Sequence, residues 1–347
     1  MDIVAHVLSW NGEKYLPDLF ASFDAQTKKE LIVRVVDNGS TDGSVAYLQG
    51  HYPHAIVARN VKNLGFTGGH NQLFKFTFEK WMGQDLKNKA IVLINQDMIL
   101  DPRMIEEMAR VLTENENVAA VQPKIYRLFP PSNEEEGVGL PVKSDVLDTT
   151  GLELTRSWRL EDRGAGALDA GQYDAQTDII GATGTIVMYR ASALLSVLVD
   201  SEVFDNDYFA YKEDCDLALR LRRAGFESRF APLAKAWHYR GVYGAQKRSL
   251  WQRLTDRRGR RPFLAALSTR NQLLLLVKNL TCADAFRAFP RLLLEEGTRL
   301  IYAMLFERET RKMLFASPRL FWRAFAKRKE VFAKAKVSSE VLRSYMK

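Results

Sequence analysis

Three apolar runs, each the length of a single strand and each ending in a polar turn, constrain this chain more than any other feature. Asp2–Leu8 is apolar and β-prone and breaks at Ser9-Trp10-Asn11-Gly12. Leu31–Val36 is continuous and rich in branched residues and ends in the polar stretch Asp37–Ser44, while Ala90–Ile94 ends in Asn95-Gln96-Asp97. Uninterrupted apolar strands suit a sheet covered on both faces, the condition of parallel strands joined by helices. The intervening residues supply such helices. Tyr15, Leu16, Leu19, Phe20 and Phe23 recur at helical spacing, Val45–Leu48 continues from the second turn, and Asp101-Pro102 opens a helix from Arg103 to about Leu112. Ala55–Ala58 reads as a short strand. The alternation predicts an α/β domain, Rossmann-like, with a mostly parallel central sheet and helices on both faces. Ligands of such sheets bind beyond the carboxyl ends of the strands, so the turns at 9–12, 37–44 and 95–97 are expected to converge.

Beyond this region the pattern changes. Pro130, Pro131, Glu134–Glu136 and several glycines predict loops and short hairpins over 123–180. Ile179–Tyr189 reads as a strand, Asp214–Ala224 as a helix closed by Gly225, and Arg229–Pro232 as a last strand before Trp237-His238.

Charge divides the chain of 347 residues. Its net formal charge is only +8, yet residues 247–347 carry 24 Lys/Arg against 8 Asp/Glu, leaving an acidic body. Apolar residues recur at helical spacing through the basic part (Leu292, Leu300, Leu305, Phe315, Phe321, Phe325), predicting basic amphipathic helices. Such helices suit an anionic membrane surface, or pack on the body with a solvated basic face. No zinc-finger, RRM, KH or leucine-zipper signature accompanies the charge, so no nucleic-acid partner is expected. Two distant cysteines, Cys215 and Cys282, exclude a disulfide framework and a Cys-rich zinc site and indicate a reducing compartment. No signal-peptide pattern or run of ~20 apolar residues is visible, so the chain is expected not to cross a membrane.

Several residues are candidates for chemistry. Asp37 ends a strand, where its carboxylate either stabilises the turn or bonds a base or ribose. Asn63-Leu64-Gly65-Phe66-Thr67-Gly68-Gly69-His70-Asn71 reads as a glycine-rich loop that permits close backbone approach and lacks the Gly-Lys-Ser/Thr ending of a P-loop. Asp97 is spare beside Asp101, the residue that opens the next helix, and could hold a divalent cation with His238 completing the site. The densest cluster runs from Asp205 to Asp216. Within it Glu213 or Asp214 could serve as a general base, whereas Asp216, one turn before Arg220, reads as half of an internal ion pair.

Taken in order, Val7–Asn11, Val36–Ser44, Asn63–Asn71, Leu93–Asp97, Tyr211–Asp214 with Asp216, Arg220 and His238 resemble the family 2 glycosyltransferases of GT-A fold over residues 3–245. The stretch Arg163–Asp174 and Arg270-Asn271 are most similar to the bacterial rhamnosyltransferases. The resemblance implies a GT-A domain over 1–245, with a nucleotide-sugar half (1–122) and an acceptor half (123–245), followed by a basic helical region over 246–347. It implies inverting transfer of a sugar, L-rhamnose from dTDP-L-rhamnose, to a glycan or lipid-linked saccharide in cell-surface polysaccharide biosynthesis. UDP-sugar transfer and non-catalytic sugar-nucleotide binding are the alternatives. Ser9, Asn11, Asp37, Asn38, Asn63, Gly65, Phe66, Gly69, Asn71, Asn95 and Gln96 would bind the donor. Asp97 and His238 would hold Mg²⁺ or Mn²⁺, and Glu213 or Asp214 would be the base. Asn95 stands where the family's Asp-x-Asp motif begins and brings no charge. A cytoplasmic protein, peripheral on the inner membrane face, follows from the same resemblance.

Overall fold

Burial follows the apolar runs. In the computed structural model, which describes residues 1–129, 142–239 and 262–347, strands β1 (Asp2–Ser9) and β4 (Lys89–Asn95) are buried at nearly every position. With β2 (Leu31–Asp37) and β3 (Ile56–Arg59) they form a parallel set in the order β3-β2-β1-β4. The connections are α1 (Leu16–Asp24), α2 (Ser44–His51) and α3 (Gly65–Lys80). Register aligns the strand ends, with Ser9 opposite Asp37 and Leu8 opposite Asn95.

The remaining strands make the sheet mixed. After β5 (Met98–Leu100) and α4 (Met104–Glu114) comes β6 (Val118–Phe129), then β7 (Val142–Thr149), the small hairpin β8 (Leu152–Leu154) and β9 (Leu160–Asp162), and β10 (Asp178–Ile179). Strand β11 (Ile186–Arg190) enters antiparallel between β4 and β6, followed by α5 (Ala191–Ser196) and α6 (Glu213–Arg223). Strand β12 (Glu227–Tyr239) runs parallel to β6 and antiparallel to β5, completing the order β10-β12-β6-β11-β4-β1-β2-β3.

Four expectations are corrected here. Residues 123–129 are not loop but the end of a continuous strand from Val118; Pro123 is accommodated where the partner strand breaks register, between Ala231 and Lys235. The last strand is 13 residues long and carries His238 within it. The run Ile179–Tyr189 splits, with Ile180–Thr185 forming a turn between two strands. The Asn63–Asn71 stretch is not a loop, since α3 starts at Gly65. The Pro130-Pro131 and Glu134–Glu136 turns, the 245/246 boundary and the basic residues from Lys247 to Arg261 lie outside the described residues.

One core lies under α1 and α4 on one sheet face, around Leu19, Val35, Val92 and Met108; a second lies under α3, α5 and α6 on the other, around Phe74, Leu93, Phe204 and Leu217. A third core joins the back of α6 to the β8–β9 hairpin and the C-terminal helices, through Trp158, Leu219, Leu274 and Leu342. Those helices are α7 (Pro262–Asn279), α8 (Cys282–Leu292), α9 (Thr298–Phe306), α10 (Arg308–Phe315), α11 (Pro318–Ala333) and α12 (Ser339–Arg343), with a π-helical turn, Leu293–Gly297, between α8 and α9.

The basic helices are bonded into the body. Lys278 and Lys327 are buried; Lys278 reaches Asp205 (2.7 Å) and Asp216 (2.9 Å), and Lys327 reaches Asp205 (2.6 Å) and Asp207 (2.8 Å). Asp216 also holds Arg220, one turn on, at 2.9 Å, the internal pair expected from the sequence. Burial alone would raise both carboxyls, but Lys278 with Lys327 at Asp205, and Lys278 with Arg220 at Asp216, outweigh it and hold each below the usual carboxylate range.

Candidate active site

The strand order reverses at β1 and β4, and the turns that follow the parallel strands meet there. The Trp10 N–H donates to the Gln96 side-chain oxygen (2.8 Å), and the Gln96 amide donates back to the Trp10 carbonyl (2.9 Å). Asn11 N–H donates to the Ser40 hydroxyl (2.9 Å), the Asn11 side-chain oxygen accepts the Thr41 N–H (2.8 Å), and the Asn38 N–H donates to the Ser9 carbonyl (2.7 Å). The convergence expected of 9–12, 37–44 and 95–97 is present.

Several side chains expected on the donor serve first as internal braces. The Asn38 amide donates to Asn63 Oδ1 (3.0 Å) and the Gly65 carbonyl (3.1 Å), and its oxygen accepts from the Leu64 N–H and Asn60 Nδ2 (both 3.0 Å). Asn63 Oδ1 also accepts the Gly65 N–H (2.7 Å). Asn71 pairs with the carbonyl and N–H of Phe204 at 2.7 and 3.0 Å. The glycines open the backbone to its own chain: Gly65 has φ +78° and a Cβ there would overlap the Phe209 carbonyl, while a Cβ at Gly69 would overlap Leu8. The Phe66 ring rests on His70, with centroids 4.3 Å apart. This is why the motif is helical: its amides and glycines dock α3 onto the β2 turn and the 204–209 segment.

Other polar groups at the strand ends have no internal partner. Ser9 Oγ, Asp37 Oδ1, Thr183 Oγ1 and Glu213 Oε2 are buried atoms that make no hydrogen bond among the described residues. Ser9 and Asp37 face each other in register, and the second Asp37 oxygen is taken by the Ser40 N–H (3.2 Å). Buried polar atoms are nearly always paired in folded proteins, so these four are open to a partner from outside the described residues.

Asp97 and His238, distant in sequence, are adjacent because β5 pairs with β12 and the Tyr239 N–H donates to the Asp97 carbonyl (3.0 Å). His238 Nε2 lies 3.2 Å from Asp97 Oδ2, and Nδ1 lies 2.8 Å from Oδ2 of the fully buried Asp148, itself 3.6 Å from Arg127. Burial pulls the imidazole pKa down, yet the bonds to Asp148 and Asp97 prevail and lift it to about 9. Nε2 is free to ligate only once its proton has left; Asp148 on Nδ1 is then the outer-shell carboxylate found behind metal-ligating histidines, and Asp97 is the hard oxygen donor that Mg²⁺ or Mn²⁺ takes. The donor set therefore fits a divalent ion. Among the described residues no group of three or more His, Cys, Asp or Glu is placed to hold a metal ion, so Asp97 and His238 alone would be its protein ligands. Nothing in the spacing of the sequence pointed to Asp148.

The acid pair at the start of α6 divides by environment. Asp214 is partly exposed; its Oδ2 accepts the Gly184 N–H (2.9 Å) and its Oδ1 the Cys215 N–H (2.7 Å). The next residue, Thr185, accepts the Asn95 N–H (3.0 Å), which ties Asp214 to the end of β4, two residues from Asp97. Glu213 is buried, and burial with the neighbouring Asp214 charge holds its carboxyl well above the usual range.

Residues 5–194 match glycosyl transferase family 2, and the chain belongs to that family. It is 24% identical over 239 residues, covering 67% of this chain and 74% of the relative, to the N-acetylglucosaminyl-diphospho-decaprenol L-rhamnosyltransferase of Mycobacterium tuberculosis. Among solved structures, GalNAc-T7 with UDP, GalNAc and Mn²⁺ superposes with TM-score 0.54 at 10% identity, over 80% of this chain and 48% of that one. Residues 1–349 of S. aureus TarS align at TM-score 0.48 and 15% identity, over 99% and 92% of the two chains. The chain is a glycosyltransferase of GT-A fold with a C-terminal helical region. Among the described residues no helix is long and apolar enough to cross a membrane.

Proposed function

We propose that this glycosyltransferase moves L-rhamnose from dTDP-L-rhamnose to a hydroxyl of a glycan or lipid-linked saccharide, with inversion and with Asp214 as general base. One observation carries the reading. The partly exposed Asp214 carboxylate is fixed through Gly184 and Thr185 to the end of β4, two residues before Asp97 and its partner His238. The rhamnosyl donor is supported by the mycobacterial relative's activity.

In this scheme the nucleotide lies over the ends of β1 and β2, where Asp37 Oδ1 and Ser9 Oγ accept or supply hydrogen bonds to the base or ribose. Gln96 and Asn11 keep that floor rigid by tying its turns together. Asp97 and His238 would hold Mg²⁺ or Mn²⁺, which supplies charge stabilisation to the leaving diphosphate. The acceptor oxygen attacks the anomeric carbon as its proton passes to Asp214, and the bond to the diphosphate oxygen breaks with its electron pair leaving on the nucleotide. Glu213 is buried, and burial with the neighbouring Asp214 charge raises its carboxyl well above the usual range, which leaves the partly exposed Asp214 the better placed of the two to take that proton.

The acceptor side adds a partner. The C-terminal helices expose Phe286, Phe289, Leu293, Ile301, Leu305 and Trp322, with exposed Arg287, Arg291, Arg308 and Arg319 among them. Aromatic and aliphatic side chains interleaved with arginine match an anionic lipid surface, where a lipid-linked acceptor would be met.

The test is turnover against dTDP-rhamnose, UDP-sugars and GDP-sugars with Mn²⁺. The native chain should release dTDP, and Asp214→Asn should lower kcat by about 10²–10⁴-fold with dTDP binding retained. Preferential turnover of a UDP-sugar would replace the donor, and nucleotide binding without turnover of any donor would replace catalysis by binding.

A further inference from the structure

The segment that delivers the acid pair is held in a conformation its residues avoid on their own. Phe209, Tyr211 and Lys212 have φ of 64°, 71° and 72°, and none of them is glycine. Three left-handed residues within four positions, immediately before α6, persist only when surrounding structure imposes them.

The imposing element is α7, from the C-terminal region. The buried Asn271 amide nitrogen lies 2.8 Å from each of the Tyr208, Ala210 and Tyr211 carbonyls. Its side-chain oxygen accepts from Arg270 Nε (2.9 Å) and Nη2 (2.8 Å), which fixes which way the amide points. Arg270 Nη2 also reaches the carbonyls of Asp207 (3.0 Å) and Tyr208 (3.1 Å). From below, the Thr67 N–H donates to the Phe209 carbonyl (3.1 Å), and Lys212 Nζ donates to the Leu160 carbonyl (2.7 Å). The carbonyls of 207, 208, 210 and 211 thus converge on two adjacent side chains of one helix. Carbonyls crowded in this way repel one another unless a donor sits between them, and the Asn271 amide supplies that donor.

We propose that Asn271, braced by Arg270, is a positioning residue for transfer: it holds the 208–212 turn so that α6 begins with Asp214 aimed at the end of β4. This rests on the reading of Asp214 as the base. Asn271 itself is fully buried, its nitrogen taken by three backbone carbonyls and its oxygen by Arg270, so it acts through the turn rather than on substrate.

The test is Asn271→Asp, which keeps the volume and replaces the donor by an acceptor, made in the full chain. Expected are a fall in kcat of about 100-fold, the scale of a misplacement near 1 Å, a donor KM and dTDP affinity within threefold of the native chain, and faster hydrogen exchange confined to residues 208–215. Adding Lys212→Gly, which lets position 212 adopt positive φ freely, should recover at least tenfold of the lost kcat. A folded Asn271→Asp protein with native kcat overturns the proposal, as does one that loses kcat and dTDP affinity in equal measure. If Asn271→Asp does not fold, Asn271→Ala, which removes the donor without adding a charge, carries the same comparison. Should the native chain turn over no donor, it is the transfer reading that fails; exchange at 208–215 then judges the clamp by itself, and unchanged exchange overturns it.

Discussion

Replacing Lys278 by methionine isolates what ties the C-terminal helices to the body. The ammonium lies 2.7 Å from Asp205 and 2.9 Å from Asp216, and its side chain is completely buried. Removing one member of a buried ion pair costs about 3–5 kcal/mol, because the surviving charge is stranded away from water. Here Asp216 keeps Arg220 and Asn279, each at 2.9 Å, and Asp205 keeps Lys327 at 2.6 Å, which places the loss at the low end, about 3 kcal/mol. Unfolding entropy of about 2.1 cal/mol/K per residue over 347 residues converts that to a drop in Tm of about 4 °C. Differential scanning calorimetry at pH 7 reads it. Acid supplies a second check. Both carboxyls are depressed in the folded state, so their contribution is present above the unfolded carboxylate pKa near 4 and is lost as pH falls below it. The difference between native and variant should therefore be full at pH 7 and shrink below about pH 4. A variant melting within 1 °C of the native chain at pH 7, or a difference that widens on acidification, refutes the reasoning.

Other outcomes follow from the same geometry. Glu213→Gln should retain kcat within about tenfold while Asp214→Asn does not, because Glu213 is buried with its carboxyl raised well above the usual range whereas Asp214 is partly exposed; equal losses in steady-state assays would overturn the choice of Asp214. Gly65→Ala should destabilise by roughly 2–4 kcal/mol in urea unfolding, since it adds a left-handed strain and a methyl group against the Phe209 carbonyl. Phe289→Ser/Leu293→Ser/Ile301→Ser should leave Tm unchanged, as all three side chains are exposed, and reduce flotation with phosphatidylglycerol vesicles at least tenfold. Equal flotation of variant and native chain removes the lipid surface from the proposal.

The parallel half of the fold was legible because its strands are apolar throughout and end in turn formers, so Val36-Asp37 and Ile94-Asn95 mark their own boundaries. Positions 118–129 were not, because a proline normally argues against an inner strand and the register break that admits Pro123 lies in a partner more than 100 residues away. In the site, Asp97 and His238 were legible as chemical types, and β5–β12 pairing brings them together. The Asn63–Asn71 glycines were visible, but a glycine that makes room for ligand and one that makes room for the chain's own carbonyl look alike in sequence. Asp148, Gly184 and the grip of Asn271 were invisible for a related reason: each acts through a contact that exists only once distant segments are folded together.

The buried carboxylate of Asp205 also sets a schedule for synthesis. It leaves the ribosome 73 residues ahead of Lys278 and 122 ahead of Lys327, the two cations that neutralise it. At ~5–20 residues per second the second interval lasts about 6–24 s. During that wait a nascent chain can assemble its parallel strands but cannot neutralise the buried acids around the start of α6. A product stalled or clipped before α11 would thus be an unfinished enzyme and a client for chaperones, not a smaller working one.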